Sequence, residues 1–456
     1  MSTIKVNTIT KRTGSTLTLG ESGTAVTLAC GATQSGFGRS GSVNWQTTPK
    51  TATFTAVNGE GYFANTSGGA FTINLPAGSA GAIVAVADYT RTFATNNLTI
   101  APNGSEKIGG VAESVLLDIN GQALTLVYVD ATEGWINVQN AEDTETGVAA
   151  AYVTATGGTV TTSGDFKIHT FNSDATFTVS CAGNPKGSSK VDYLVVAGGG
   201  AGGGNDHGGG GGAGGYRFSD GTSSGCYSAG PAPLSAPGLS VSAQAYPITV
   251  GAGGTAGSSP TGWRGNNGSN SIFDTITSAG GGGGASNGPG GPGPVAINGK
   301  DGGSGGGGAG ISGGSPSPCG VGGSGNTPPV SPPQGNNGGN GAYASNPTYA
   351  TGGGGGASAA GGTASGPQAG NGGAGLASTI TASPVSRGGG GGGSTYPGGT
   401  NGTGGTGGGG AGVTNTTVNP GTVNTGGGGG GLSQSGCVPG GLGGSGVVII
   451  RYKFQN

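Results

Sequence analysis

The sequence predicts an all-β protein in three kinds of structure: an N-terminal β shaft, antiparallel β-sandwich domains, and a C-terminal glycine-rich bundle of polyglycine II helices. Three observations predict it. Apolar and polar residues alternate with a period of two through most of the first 197 residues, the pattern of half-buried strands. Glycine and asparagine turns divide those runs at the spacing of sandwiches and barrels. Glycine is then partitioned sharply: of 116 residues, 24 precede residue 198, 92 lie from Gly198 to Gly446, and none follows.

Residues 1–50 supply the shaft. Ile4–Ile9, Ser15–Leu19 and Thr24–Leu28 alternate cleanly but are short. Strands of that length leave open edges and little core, so self-pairing between copies of the chain is the natural way to stabilise them. Residues 51–140 read as a compact antiparallel β domain, with strands expected at Ala52–Val57, Ala70–Leu75, Ile83–Asp88, Leu98–Ala101, Ser114–Ile119, Ala123–Val129 and Trp135–Gln139. The acidic stretch 141–150 is the expected linker. Residues 151–197 return to a β pattern and end in the apolar run Val191–Ala197, which passes directly into glycine. Gly446–Tyr452 mirrors it, glycine passing into an apolar strand, so both are expected in one sheet that clamps the glycine stretch (198–446) at its two ends.

The glycine stretch poses a physical choice. Ordering a residue costs roughly 1–2 kcal/mol of backbone entropy, and glycine has no side chain to bury in return, so disorder is the competing reading. A collagen triple helix fails, because Gly388–Gly393 and Gly426–Gly431 are unbroken and residues 311–321 keep no triplet. Polyglycine II helices have three residues per turn, rise about 3.1 Å per residue and make no internal hydrogen bonds. Their N–H and C=O groups point outward, and the missing Cβ lets neighbouring helices approach closely enough to pair them. A six-residue run would span about 19 Å.

Composition limits the chemistry. Charged residues are 7% of the chain, against about a quarter in an ordinary globular domain, and the net charge is −2. No basic stripe suits nucleic acid. Cys30, Cys181, Cys226, Cys319 and Cys437 are widely spaced and form no C-x-x-C pair; they read as free thiols, with no metal site and no cofactor expected. No apolar run follows Met1–Lys5, and no signal peptide is expected. The glycine stretch contains no glutamate and only Asp206, Asp220, Asp274 and Asp301, so the paired carboxylates of a glycosidase are not expected. His207 beside Asp206 has no accompanying nucleophile pattern, and an enzyme is the weakest reading.

The ordered series Tyr193–Gly200, Gly208–Arg217, Tyr246–Gly254, Asn270–Phe273, Ala279–Gly284 and Gly443–Tyr452 resembles the glycine-rich domain of tailed-bacteriophage tail-fibre proteins and adhesins, over about 260 residues. More generally, Ile4–Thr10, Gly41–Gln46 and Gly61–Phe63 make the first 140 residues similar to fibres of marine and cyanobacterial phages. The resemblance implies a homotrimeric fibre with a trimeric β shaft, assembled in host cytoplasm. Its N-terminal part would join other tail or baseplate proteins of the virion. The glycine block would carry loops that bind a host-surface glycan or outer-membrane protein. A structural virion protein without receptor binding, such as a head-decoration fibre or fibre connector, is the alternative.

Within the linkers, aromatic faces suit glycan and membrane-protein surfaces. The receptor candidates are Trp263 with Arg264, Tyr343, Tyr349 and Tyr396, each of which could instead cover the end of a glycine row. Tyr246 and Phe273, inside the recurring motifs, read as structural. The proline-rich segments 315–318 and 328–333 would be stiff, either as binding loops or as crossovers kept out of the lattice.

Overall fold

A computed structural model describes residues 43–139, 150–184, 187–224, 235–258, 263–287, 297–312, 319–344, 349–396, 398–415, 417–434 and 438–455. Residues 1–42 of the shaft expected over 1–50, most of the acidic linker and the prolines at 316 and 318 lie outside these. The chain divides into two compact units, Met1–Ala149 and Ala150–Asn456. Among the described residues there is no helix, and every regular element is a strand.

In the first unit, the first six strands alternate between two facing sheets. Asn44–Lys50 (β1), Glu60–Ala64 (β3) and Ile83–Asp88 (β5) run parallel in one sheet, which Ala123–Asp130 (β8) and Gly134–Asn137 (β9) complete in antiparallel fashion. Phe54–Thr55 (β2), Phe71–Asn74 (β4) and Leu98–Ala101 (β6) run parallel in the other, and Val115–Leu117 (β7) closes it antiparallel. The two sheets are sandwich-like but mixed, which corrects the expected antiparallel domain. From β1 to β6 each short connection crosses to the opposite sheet, so strands two apart in sequence become parallel neighbours. The sheet also begins at Asn44, ahead of the boundary expected at residue 51. Pro49 is tolerated in β1 because that strand is an edge, with its register shifting between Gln46 and Lys50. The core lies between the sheets, with Tyr62, Val84, Val86, Leu124, Leu126 and Trp135 meeting Ile73, Leu98, Ile100 and Leu117.

The second unit is built on two antiparallel sheets. One comprises Val153–Thr156 (β10), Ala175–Ala182 (β13), Ala245–Thr249 (β17), Ser271–Phe273 (β18) and Ile276–Ser278 (β19), in that order. The other orders Thr159–Ser163 (β11), Phe166–Phe171 (β12), Val447–Lys453 (β24), Lys190–Val196 (β14) and Tyr216–Phe218 (β15), with Leu239–Ser240 (β16) also on β14. The strands flanking the glycine stretch therefore pair directly, Val196 opposite Val447. Phe177, Tyr246, Ile248 and Phe273 pack against Phe171, Tyr193, Val195, Ile450 and Tyr452 between the sheets. The opposite faces of β14 and β24 are covered as well: Leu194, Val196, Val447 and Ile449 contact Ile380, between Leu376–Ser378 (β22) and Val385–Arg387 (β23). Burial on both faces explains why these two strands read as continuous apolar runs rather than alternating ones.

Between those strands, the glycine runs lie side by side with a three-residue hydrogen-bond period. Along residues 197–205, N–H groups of Ala197, Gly200 and Gly203 donate to Gly215, Gly212 and Gly209 at 2.8–3.0 Å. Those of Gly198, Ala201 and Gly204 donate to Ser269, Asn266 and Trp263, and those of Gly199, Gly202 and Asn205 to Gly444, Gly441 and Val438. The carbonyls serve three further segments: Gly198 and Ala201 accept from Gly281 and Gly284, Gly199 from Gly254, and Gly200 and Gly203 from Gly429 and Leu432. The N–H partners run antiparallel to this segment. An added Cβ at Gly199, Gly200 or Gly211 would come closer than 3.0 Å to a carbonyl oxygen of a neighbouring run. Methyl groups are accommodated only at selected places, such as fully buried Ala201, Ala213 and Ala285.

Candidate recognition edge of the glycine block

The run 198–204 leaves the sandwich from the end of β14, and 208–215 returns to the start of β15, so residues 205–207 turn at the far end of the block. Asn205 and His207 adopt φ of 55° and 57° there. Two hydroxyl bonds pin this turn to its neighbours, and a third joins those neighbours to each other. Thr351 Oγ1 and Ser394 Oγ both donate to the Gly208 carbonyl, at 2.9 and 2.7 Å, and Thr351 Oγ1 accepts from the Ser394 N–H at 2.8 Å. The Ala350–Thr395 bridge and a Tyr396 N–H to Tyr349 carbonyl bond of 3.2 Å hold the flanking residues together.

The result is a cluster of three rings. His207 meets Tyr349 edge-on at 4.6 Å between centroids, Tyr349 meets Tyr396 at 6.0 Å, and His207 lies tilted from Tyr396 at 6.1 Å. Tyr396 is 39% exposed and offers the open face, while Tyr349 is half-buried behind it. Tyr349 and Tyr396, far apart in sequence, are thus brought together, and His207 is an aromatic member that sequence reasoning placed only beside Asp206. Tyr343 belongs to the two-residue strand Tyr343–Ala344 (β21), opposite Ile311 of Ile311–Ser312 (β20), and its neighbour Ala342 bonds to Ala350.

Trp263 is at the same end, its carbonyl accepting from Gly204, but its side chain is only 8% exposed. Its φ of 61° folds the chain back at the start of a return run. Buried there, the ring is in keeping with the second role open to each candidate, covering the end of a glycine row. Arg264 is half-buried; burial lowers its pKa, against the opposing pull of Asp301, and Nε has no hydrogen-bond partner among the described residues. Burial, and secondarily the Arg264 charge, lowers the pKa of Lys300 as well. The 328–333 segment sits at the other end of the block, where the neighbouring Gln334 receives Tyr216 N–H on its carbonyl and Ala279 N–H on its side chain at 2.8 Å. It is a crossover on the sandwich side. Tyr246 and Phe273 are core residues of the sandwich.

A second feature escaped the sequence reading. Runs on the outside of the block have N–H groups facing no further run, and side chains cap them. Asn267 and Asn270 accept from Gly283 and Gly280; Asn298 and Asp301 from Val321 and Ser324; Asn337 and Asn340 from Gly325 and Gly322, all at 2.6–3.0 Å. Each pair is three residues apart, the period of the runs themselves. That Asx-x-x-Asx spacing between glycines is the signal that could have revealed the edges.

Both histidines are held neutral by burial, which lowers their pKa. His169 Nδ1–H donates to the Gly157 carbonyl at 2.7 Å, which leaves Nε2 to accept from the Tyr452 hydroxyl at 3.0 Å. The ring nitrogens of His207 have no partner among the described residues. A base with a depressed folded pKa takes up protons on unfolding, so stability is complete above the ordinary histidine pKa of about 6.5 and falls as pH drops below it. Denaturant midpoints of the second unit should therefore decrease from pH 7.5 to pH 5. A midpoint that stays constant or rises would contradict the buried neutral state.

No helix among the described residues is long and apolar enough to cross a membrane, and no group of three or more His, Cys, Asp or Glu there could hold a metal ion. No curated protein matches the chain. The model of a glycine-rich domain matches residues 172–453, more than half of the sequence, and the chain therefore belongs to the glycine-rich domain family.

Proposed function

We propose that this protein is a tail fibre of a tailed bacteriophage, attaching the virion to its host through the far end of the glycine block. The observation that carries this reading is the convergence of separate turns, with Tyr349, Tyr396 and His207, on the end of the block opposite the sandwich. A rigid scaffold that gathers turns at one edge lets those turns vary without disturbing the packing.

The scaffold itself is a polyglycine II lattice in this reading. The three-residue period and the six neighbouring segments of residues 197–205 support it. The unit is the tip of a homotrimer whose shaft comes from the N-terminal residues, and the protein acts by binding, without catalysis. Tyr396 supplies the exposed face, backed by Tyr349, with the turns that carry Tyr343 and Arg264 at the same end, against a surface glycan or outer-membrane protein.

Tyr396→Ala tests the assignment. Purified wild-type protein should bind host cells and compete with phage adsorption. The variant should bind about tenfold more weakly, as expected for an interfacial aromatic. Tyr89→Ala, at a residue 56% exposed in the first unit, is the control. Equal binding by wild type and Tyr396→Ala would remove recognition from this edge.

A further inference from the structure

The hairpin of β22 and β23 covers the outer face of β14 and β24, and its inward positions are Leu376, Ser378, Val385 and Arg387. Arg387 is unusual there. It is 8% exposed, and among the described residues no carboxylate pairs with it and Nη1 has no hydrogen-bond partner. Tyr216, on the facing β15, is 3% exposed; Ser378 is the hydrogen-bond partner of its oxygen, and its own proton has no acceptor among the described residues. The two are close: a Cβ at Gly388, next to Arg387, would stand 3.3 Å from Tyr216 Cδ2. Each residue is also the other's foremost electrostatic partner, after burial. Ser378 Oγ, beside that hydroxyl, accepts from Ile380 N–H at 3.2 Å and so has its own proton to give.

The surrounding charges do not balance. Asp192, fully buried and directly across from Arg451 in the β14–β24 register, is engaged by Ser219 Oγ at 2.6 Å and by Ser224 N–H and Oγ at 2.7 and 2.6 Å. Arg451 lies 6% exposed against Phe166 and donates to the Ile380 carbonyl at 3.3 Å. Among the described residues, two guanidinium groups thus share the covered face with one carboxylate. Burial lowers the Arg387 pKa and raises that of Tyr216, which leaves the phenol a hydrogen-bond donor. Donors without an acceptor, around an uncompensated buried cation, match the chemistry of an anion.

We propose that a small monovalent anion of the chloride class binds between Nη1 of Arg387 and the hydroxyl of Tyr216, under the β22–β23 hairpin. The anion would neutralise the covered guanidinium and help fix the hairpin against the sandwich. This inference is independent of what the far edge binds.

Crystals of the full chain soaked in sodium bromide, measured at the bromine absorption edge, test it directly. The expected result is an anomalous peak within contact of Arg387 Nη1 and Tyr216 Oη. Water density there with no anomalous signal would overturn the proposal. In solution, raising chloride from about 10 to about 100 mM should lift the melting temperature of the second unit by about 3 °C relative to fluoride at equal ionic strength. Arg387→Met should abolish that difference between anions, and an unchanged difference in a folded variant would also count against the site. If the variant does not fold, the wild-type anomalous measurement decides.

Discussion

Gly211→Ala is expected to destabilise the second unit by about 3 kcal/mol or more, although it adds one methyl group. Gly211 donates to Gly429 and accepts from Gly391, both at 2.8 Å, and its missing Cβ faces the carbonyl of Gly200. In an ordinary core an extra methyl displaces a side chain, which can find another rotamer. Here it meets the backbone of a neighbouring run, itself hydrogen-bonded to other runs. Moving that run breaks bonds with segments that do not touch Gly211, so the cost spreads through the lattice. Thr403→Ala, at an exposed position on an outer run, should change stability by no more than about 0.5 kcal/mol. Chemical denaturation of both variants, read separately for the two units, checks this. Equal stabilities would mean that the runs are not closely packed.

Phe177→Ala should cost about 3–5 kcal/mol through a different mechanism. Phe177 is fully buried on β13, and its ring lies 5.1–6.4 Å from those of His169, Phe171, Tyr246, Phe273 and Tyr452. These side chains come from both sheets, so the cavity cannot collapse without moving strands that start or end glycine runs. The loss should therefore appear in the glycine block as well as in the sandwich. Amide protection in the run beginning at Gly198 and in the run Ala279–Gly284 should fall together with that of β14 and β18. Loss confined to the sandwich would show that the block is stable without its clamp.

The sequence made strand positions legible more readily than strand partners. Ile83–Asp88 and Leu98–Ala101 were expected at the observed bounds, because alternation reports which face of a strand is buried. It does not report which sheet the chain crosses to next, and so the parallel order of the first unit was not visible. Glu60–Ala64 was missed for a local reason: Gly61 interrupts the pattern, and it is tolerated because Trp45 lies opposite, its ring 2.8 Å from where a Cβ would stand. The clamp was readable at Val191–Val196 and Val447–Tyr452, where burial on both faces leaves long apolar runs.

At the candidate edge, composition singled out the tyrosines but not their neighbours. Tyr349 and Tyr396 meet because runs of matched length reverse at one level, a property of the packing rather than of either residue. Trp263 stayed open between two roles for the same reason, since a large aromatic next to a glycine run serves equally to close its end. The asparagine caps were written plainly in the sequence, but their meaning depends on knowing which runs have an outward side.

The central claim is that the glycine stretch is an ordered, hydrogen-bonded lattice and not a spacer. Hydrogen–deuterium exchange on the full chain, resolved to the segments around 199–204, 210–214 and 427–431, tests it most directly. The account predicts slowing of at least about 10³-fold relative to an unstructured glycine peptide, comparable to the strands β14 and β24. Exchange of those segments at the unstructured rate, with β14 and β24 still protected, would contradict it.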